Sequence, residues 1–415
     1  MLQGTDGERV EHSDKTPAPR GLVAILAGMV MVGPLGIDTY LPALPALASE
    51  YAAPPALVQQ TLSAFVFTMA LTMLFYGTLS DSLGRRRVLL FSLALFAVSN
   101  LAAVFAPDIR TLIVCRALQG VAAGAGGVVA RAIIQDCYRG AEAQRALAQV
   151  LMIFGIAPAI APIIGGWLHH AFGWHSIFIF LTLGGAALFA VCYFMLGETL
   201  PRSQFQPLNL RAILANYLQA LRDLRFVLMC VSIGLLFGAV PLYVGSAAPF
   251  VMEILNLSET AFGWLFIPMI SGIIIGSAAA ERLLKRHPGI SERLMFWGLV
   301  LCIVASGINI AYTALATIDI PYAVLPLALY TFGMAMAMPG MVMRALNRLP
   351  TMHGLSASMQ GFIQMMIFTV VTGMVAPLLF DSAFKLALGM AGGAVLGIAL
   401  WAAINARTTR TPGSA

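Results

Sequence analysis

Apolar positions in this chain fall in long unbroken runs, not in the alternation of strands or the narrow stripe of a soluble helix. A bilayer-spanning helix takes about 20 mostly apolar residues. Runs of that kind occupy 21–46, 57–79, 88–106, 111–134, 146–168, 176–196, 226–249, 261–280, 293–314, 321–343, 355–378 and 383–405. Hydrocarbon offers no water to an unpaired N–H or C=O, so spanning segments are helices or closed barrels. Barrel strands alternate over about ten residues, and a run such as VLLFSLALFAVSNLAAVFA (88–106) does not. The pattern predicts an all-α membrane protein with twelve transmembrane helices.

The polar breaks set the organisation. Residues 1–20 are charged and mixed in sign, with no apolar core, and read as a solvated tail instead of a signal peptide. The segment 197–225 divides the spans into two six-helix halves, 21–196 and 226–405, with a short tail at 406–415. Within that linker, Leu210, Ile213, Leu214, Tyr217, Leu218 and Leu221 recur at helical spacing opposite Arg211, Arg222 and Asp223. This predicts a helix lying in the membrane interface.

Composition and charge agree. Hydrophobic residues make up 60% of the 415 and charged residues 10%, too few charges to cover a soluble surface. The net charge of +6 is distributed between spans and not along one stripe, which argues for membrane orientation and against nucleic acid. Of 24 Lys and Arg, twenty fall on one side of the membrane, only Arg110 and Lys385 on the other, and Arg116 and Arg131 within spans. The positive-inside rule then places both termini in the cytoplasm. The five cysteines have no CxxC spacing and read as small buried hydrophobes. His169, His170 and His175 cluster at one turn, but no acid or cysteine joins them in sequence, so they read as solvated and no metal is expected. Walker-type loops and nucleophile motifs are missing, which excludes an ATP-driven pump or an enzyme.

An internal repeat supports two related halves. Asp81-Ser-Leu-Gly84-Arg85-Arg86 after the second span is echoed by Glu281-Arg-Leu-Leu284-Lys285-Arg286 after the eighth. Gly120 precedes Arg131 by eleven residues, as Gly333 precedes Arg344.

Gly77-Thr-Leu-Ser-Asp81-Ser-Leu-Gly84-Arg85-Arg86-Arg87 resembles the helix 2–3 loop signature of the major facilitator superfamily. Its glycines permit a tight turn, and Asp81 is expected to face a neighbouring helix N-terminus. Leu112-Ile-Val-Cys-Arg116-Ala-Leu-Gln119-Gly120 resembles the superfamily's helix 4 motif. Gly155-Ile-Ala-Pro158-Ala-Ile-Ala-Pro162-Ile-Ile-Gly165-Gly166 resembles the helix 5 motif of its proton-driven exporters, with Ala161-Pro162 where Gly-Pro is usual. Gly36-Ile-Asp38-Thr-Tyr40-Leu-Pro42-Ala-Leu-Pro45, Glu198-Thr-Leu-Pro201 and Tyr243-Val-Gly-Ser-Ala-Ala-Pro249-Phe resemble the bicyclomycin and chloramphenicol resistance (Bcr/CflA-like) subgroup of drug/proton antiporters. The resemblance implies a monomeric proton-coupled exporter of small amphipathic drugs in a bacterial inner membrane, with no cofactor beyond the proton gradient.

Asp38 is the one acid well inside a span, where even low estimates put a carboxylate at about 2.5–3.5 kcal/mol. Such a residue has a partner or a task. Arg116, on the same side of the first half, is the natural partner, and the pair reads as a proton switch. The proton sits on Asp38 when the site faces out, and it leaves as drug binds when the site faces in. The superfamily's multidrug relatives carry a second acid two turns earlier, where this chain has Gly28-Met-Val-Met-Val-Gly33, so coupling would rest on one carboxyl. Tyr40, Gln119, Gln360 and Gln364 are polar groups within spans, expected to face a substrate cavity or another helix. Nine methionines within the spans 321–343 and 355–378 suit an adaptable cavity wall or plain gap-filling. A single-metabolite carrier without proton coupling is the alternative.

Overall fold

The computed structural model describes residues 21–208, 210–349 and 352–406. The two tails, with Arg407 and Arg410, lie outside them, as do the side chains of Leu210 and Ile213. Among the described residues eleven helices are long and apolar enough to cross a membrane, and one bent pair makes a twelfth. The first six are α1 (Leu22–Asp38), α2 (Pro55–Leu83), α3 (Arg85–Val104), α4 (Ile109–Cys137), α5 (Gly140–Phe172) and α6 (His175–Met195). The second six are α7 (Leu224–Phe237), α8 (Gly263–Arg286), α9 (Ser291–Leu315), α10 (Leu325–Leu346), α11 (His353–Val370) and α12 (Ala383–Ala406).

Three spans are less regular than their apolar runs suggest, and proline accounts for each. Without an N–H, proline leaves the carbonyl four residues earlier without its helical partner. Pro42 ends α1 at Asp38; the chain continues as a 3-10 turn, Leu41–Ala43, and a short helix, Leu44–Glu50. Pro241 follows a 47° bend at Gly238 between α7 and Ala239–Gly245, after which Pro249 opens a π turn, Pro249–Ile254. Pro377 follows a π turn at Val371–Val375 in the α11 span. The carbonyl it cannot serve, on Gly373, accepts a hydrogen bond from Gln60 Nε2 of α2 at 2.9 Å.

Packing within each half relies on small residues and threonine. Thr68 and Thr72 of α2 donate to the Ala117 and Val121 carbonyls of α4 at 2.7 and 3.4 Å. A Cβ at Gly120 or Gly124 would collide with that face of α2. The second half reverses the roles: Thr331 of α10 donates to the Met269 carbonyl of α8 at 2.9 Å, and the glycines, Gly272 and Gly276, lie on α8. The repeat is therefore one of helix pairing more than of residue contact. Gly333, the counterpart of Gly120, packs on Gly298 of α9 instead.

The linker contains the expected helix, Leu210–Arg222. Leu214, Leu218 and Leu221 are exposed along it, whereas Tyr217 turns inward and donates to the Leu74 carbonyl at 2.9 Å. For description, the end of the molecule bearing the arginine-rich loops is the basic end, and the other the sparse end.

Candidate functional site

The 3-10 break after α1 brings together three of the residues singled out in the sequence. Asp38 is 4% exposed and Arg116 and Tyr40 are fully buried. The guanidinium lies over the Tyr40 and Phe65 rings at 4.6 and 4.4 Å, and its Nη1 donates to Gln119 Oε1 at 2.6 Å. Its Nε and Nη2 have no hydrogen-bond partner among the described residues. Gln119 in turn donates to the Ser99 carbonyl of α3 at 3.2 Å, and the Tyr40 hydroxyl meets Thr61 Oγ1 at 2.8 Å. The expected Asp38–Arg116 pair is not formed: among the described residues no hydrogen bond or ion pair joins the Asp38 carboxyl to Arg116 or to any other group. The aromatic faces two residues beyond Asp38 and on α2 take the cation instead.

Two of the residues expected to face a cavity or another helix meet protein here: Gln119 bonds to α3 and to Arg116, and Tyr40 to Thr61 of α2, both buried within the first half. Gln360 and Gln364 bond to one another along α11 at 2.8 Å, Gln364 remaining half-exposed. The methionines divide. Met334, Met341 and Met359 are buried filler, Met343 and Met374 lie on exposed faces, and Met336, Met338, Met365 and Met366 are half-buried.

The helix 5 run meets both halves. A Cβ on Gly165 would overlap the Thr39 carbonyl oxygen at the α1 break, and one on Gly166 would overlap the Glu259 carbonyl oxygen before α8. Pro162 is buried and Pro158 half-buried, but Gly155 borders open space, so the close approach belongs to the far end of the motif. Glu259 also supplies the acid missing beside the histidines. Its carboxylate reaches His169 Nε2 at 3.2 Å and His170 Nδ1 at 3.0 Å, both from α5. His175 stacks on Trp174 instead. Nearby, Ser63 Oγ lies 3.4 Å from Thr372 Oγ1, beside the Gln60–Gly373 bond. The sparse end is thus where α2 and α5 of one half meet α11 and the α7–α8 connection of the other. Among the described residues no group of three or more His, Cys, Asp and Glu is arranged to hold a metal ion.

The loop motif is built differently from expectation. Gly84 has φ +95°, a backbone that favours glycine. A Cβ there would strike Glu198, whose carboxylate accepts from the Arg85 and Arg86 N–H groups at 2.9 and 3.3 Å. The acid at the helix N-terminus is therefore Glu198, from beyond α6, not Asp81. Asp81 accepts from the Arg85 guanidinium, which also reaches Asp136 at the end of α4 at 3.1 Å and Ser80 Oγ at 2.6 Å. Arg86 donates to the Tyr193 carbonyl at 2.6 Å and lies over the Tyr193 ring. Gly77 packs loosely against Val128. Asp136, Glu198, Gln60 and Glu259 escaped the sequence reading. Only Glu198 had a signal, its place in a quoted motif; the others become visible when helices meet.

The Major Facilitator Superfamily model matches residues 26–377. A bicyclomycin resistance protein homolog of Haemophilus influenzae is 24% identical over 94% of this chain and 98% of its own. Multidrug resistance protein D of Escherichia coli is 27% identical over 83% of this chain and 85% of its own. Among solved structures, a bacterial homolog of the human lysosomal transporter Spinster, inward-facing and unoccupied, superposes with a TM-score of 0.72 at 14% identity. That match covers 94% of this chain and 97% of the other.

Proposed function

We propose that this chain, which belongs to the Major Facilitator Superfamily, is a proton-coupled efflux transporter that exports small amphipathic drugs of the bicyclomycin and chloramphenicol kind. Its basic end faces the cytoplasm of a bacterial inner membrane, and it works as a monomer on the proton gradient without a cofactor. The observation that carries the reading is Asp38, 4% exposed and with no side-chain partner among the described residues at the break in α1. A buried ionised carboxylate with no donor or cation is costly, and a proton removes that cost. The names of relatives, one for bicyclomycin resistance and one for multidrug resistance, support the substrate class.

With the basic end cytoplasmic, we take the contacts between the halves at the sparse end as the closed outer gate of an inward-facing state. Asp38 has arrived carrying its proton, while Arg116 is held apart from it by Tyr40, Phe65 and Gln119. Loss of the proton toward the cytoplasm leaves an ionised carboxylate in the same half as a fixed cation, and drug enters from the same side. Reopening at the sparse end releases drug and returns Asp38 to protons outside. The gradient supplies about 2.3 kcal/mol per charge per 100 mV, plus any pH difference.

The test is reconstitution into liposomes with an imposed pH gradient, offering chloramphenicol-like and cationic drugs and recording proton counterflow. Drug should accumulate against its gradient with protons moving the other way, and Asp38→Asn should reduce accumulation to the level without a gradient. Transport that ignores the gradient and survives Asp38→Asn would establish the alternative, a single-metabolite carrier.

A further inference from the structure

At the basic end, α7 and α12 diverge to leave a cleft of about 720 Å³ beneath the end of the linker helix. Its floor is apolar, from Leu224, Leu228 and Leu400, and its rim carries Arg222, Arg225 and Arg348. The rim has one acid, Asp223, and it is already engaged. Its carboxylate caps α7 through the Phe226 N–H at 3.0 Å and accepts from Arg348 Nη2 at 3.0 Å. Burial pushes the Asp223 carboxyl up, but those two groups and the Arg225 N–H outweigh it and hold it below the usual carboxylate range. Asp223 therefore neutralises Arg348 alone. Arg222 and Arg225 are exposed, and their side chains have no ion-pair partner among the described residues.

We propose that this cleft is a binding site for one anionic phospholipid, its phosphate between Arg222 and Arg225 and its acyl chains along Leu224, Leu228 and Leu400. Two unpaired guanidiniums are the donors that suit a phosphate. A soluble anion would use the rim but not the floor, and an uncharged lipid the floor but not the rim. Leu224 in the cleft and Leu396, one turn before Leu400 on α12, are more than half exposed, so it opens toward lipid and not toward the interior between the halves. A basic pocket between spans on the cytoplasmic side is where anionic headgroups are held. A lipid here would bridge the linker helix, the start of α7 and the α10–α11 connection, all of which meet at Asp223 and Arg348. The cytoplasmic placement rests on the orientation proposed above, but the binding chemistry does not.

Native mass spectrometry of the full chain in detergent, titrated with phosphatidylglycerol or with phosphatidylcholine of the same chains, tests this. Phosphatidylglycerol should be retained in preference to phosphatidylcholine with one-to-one stoichiometry. At about 1 kcal/mol per arginine near a lipid surface, Arg222→Gln/Arg225→Gln should weaken it roughly thirtyfold. Arg282→Gln/Arg286→Gln, the same charge change at the end of α8, should not. Equal loss from both double variants, equal retention of the two lipids, or displacement by inorganic phosphate would each overturn the proposal. An inverted topology would leave these results unchanged and be revealed separately, by labelling of a cysteine in the linker from the outer face of sealed vesicles.

Discussion

Arg116 is a fully buried cation that no carboxylate among the described residues neutralises, so its stability depends on the rings around it. A desolvated cation–π contact is worth about 2 kcal/mol, and a net hydrogen bond about 1 kcal/mol. Tyr40→Phe, which keeps the ring and loses only the bond to Thr61, should cost about 1 kcal/mol. Tyr40→Leu should cost more, about 2 kcal/mol or above, and lower the detergent unfolding temperature further than Tyr40→Phe does. If the two variants unfold alike, the ring does not hold the cation. This cluster also marks how far the sequence could be read. Asp38 and Arg116 were visible as charges in apolar runs, because a charge in hydrocarbon is conspicuous whatever surrounds it. Their separation was not visible, since Tyr40 and Phe65 look like ordinary apolar positions until α1, α2 and α4 pack. For Gln119 polarity alone predicts a cavity or another helix, and it does not say whether a side chain's partner is ligand or protein.

Helices were legible down to their number and nearly their ends, because long apolar runs leave little choice in a bilayer. Their breaks were less so: Pro42, Pro241 and Pro377 were in view, but whether a proline bends, ends or loosens a helix depends on what meets the freed carbonyl. The glycines of α5 test which approaches between elements matter. Gly155→Ala meets open space and should stabilise the helix by about 0.5–1 kcal/mol. Gly166→Ala adds the same methyl where it would overlap the Glu259 carbonyl of the other half. The chain should still fold, since the clash lies between halves, but the sparse end should open. Cysteines placed in the α5–α6 turn and the α7–α8 connection should cross-link readily in the parent and in Gly155→Ala, and poorly in Gly166→Ala. Equal cross-linking in all three would place the approach of the halves somewhere other than at Gly166.

For the whole molecule, transport requires that the join between halves be weak enough to break on each cycle. At the sparse end its polar part is a few contacts, Gln60 to Gly373, Ser63 to Thr372, and Glu259 to His169 and His170, beside the close approach of Gly166 to the Glu259 carbonyl. His170 is largely exposed and His169 and Glu259 are not, so the outer half of this fork is screened by solvent and contributes less. An exposed pair is worth about 0–1 kcal/mol, and the fork as a whole should hold the closed state by about 1 kcal/mol, roughly fivefold in population. Glu259→Gln keeps the backbone carbonyl against Gly166 and the side-chain volume, and removes only the charge. Spin labels across the sparse end should then show a longer-distance population severalfold larger than in the parent. The combined His169→Gln/His170→Gln variant should shift it in the same direction, and adding Glu259→Gln to that variant should change nothing more, because both remove one interaction. Independent, additive shifts would mean that the three side chains act through different neighbours and that the join depends on Gln60 and the glycines alone. A fork worth several kcal/mol would trap the carrier in this arrangement, whereas one of this size lets a gradient or a bound drug decide which way it faces.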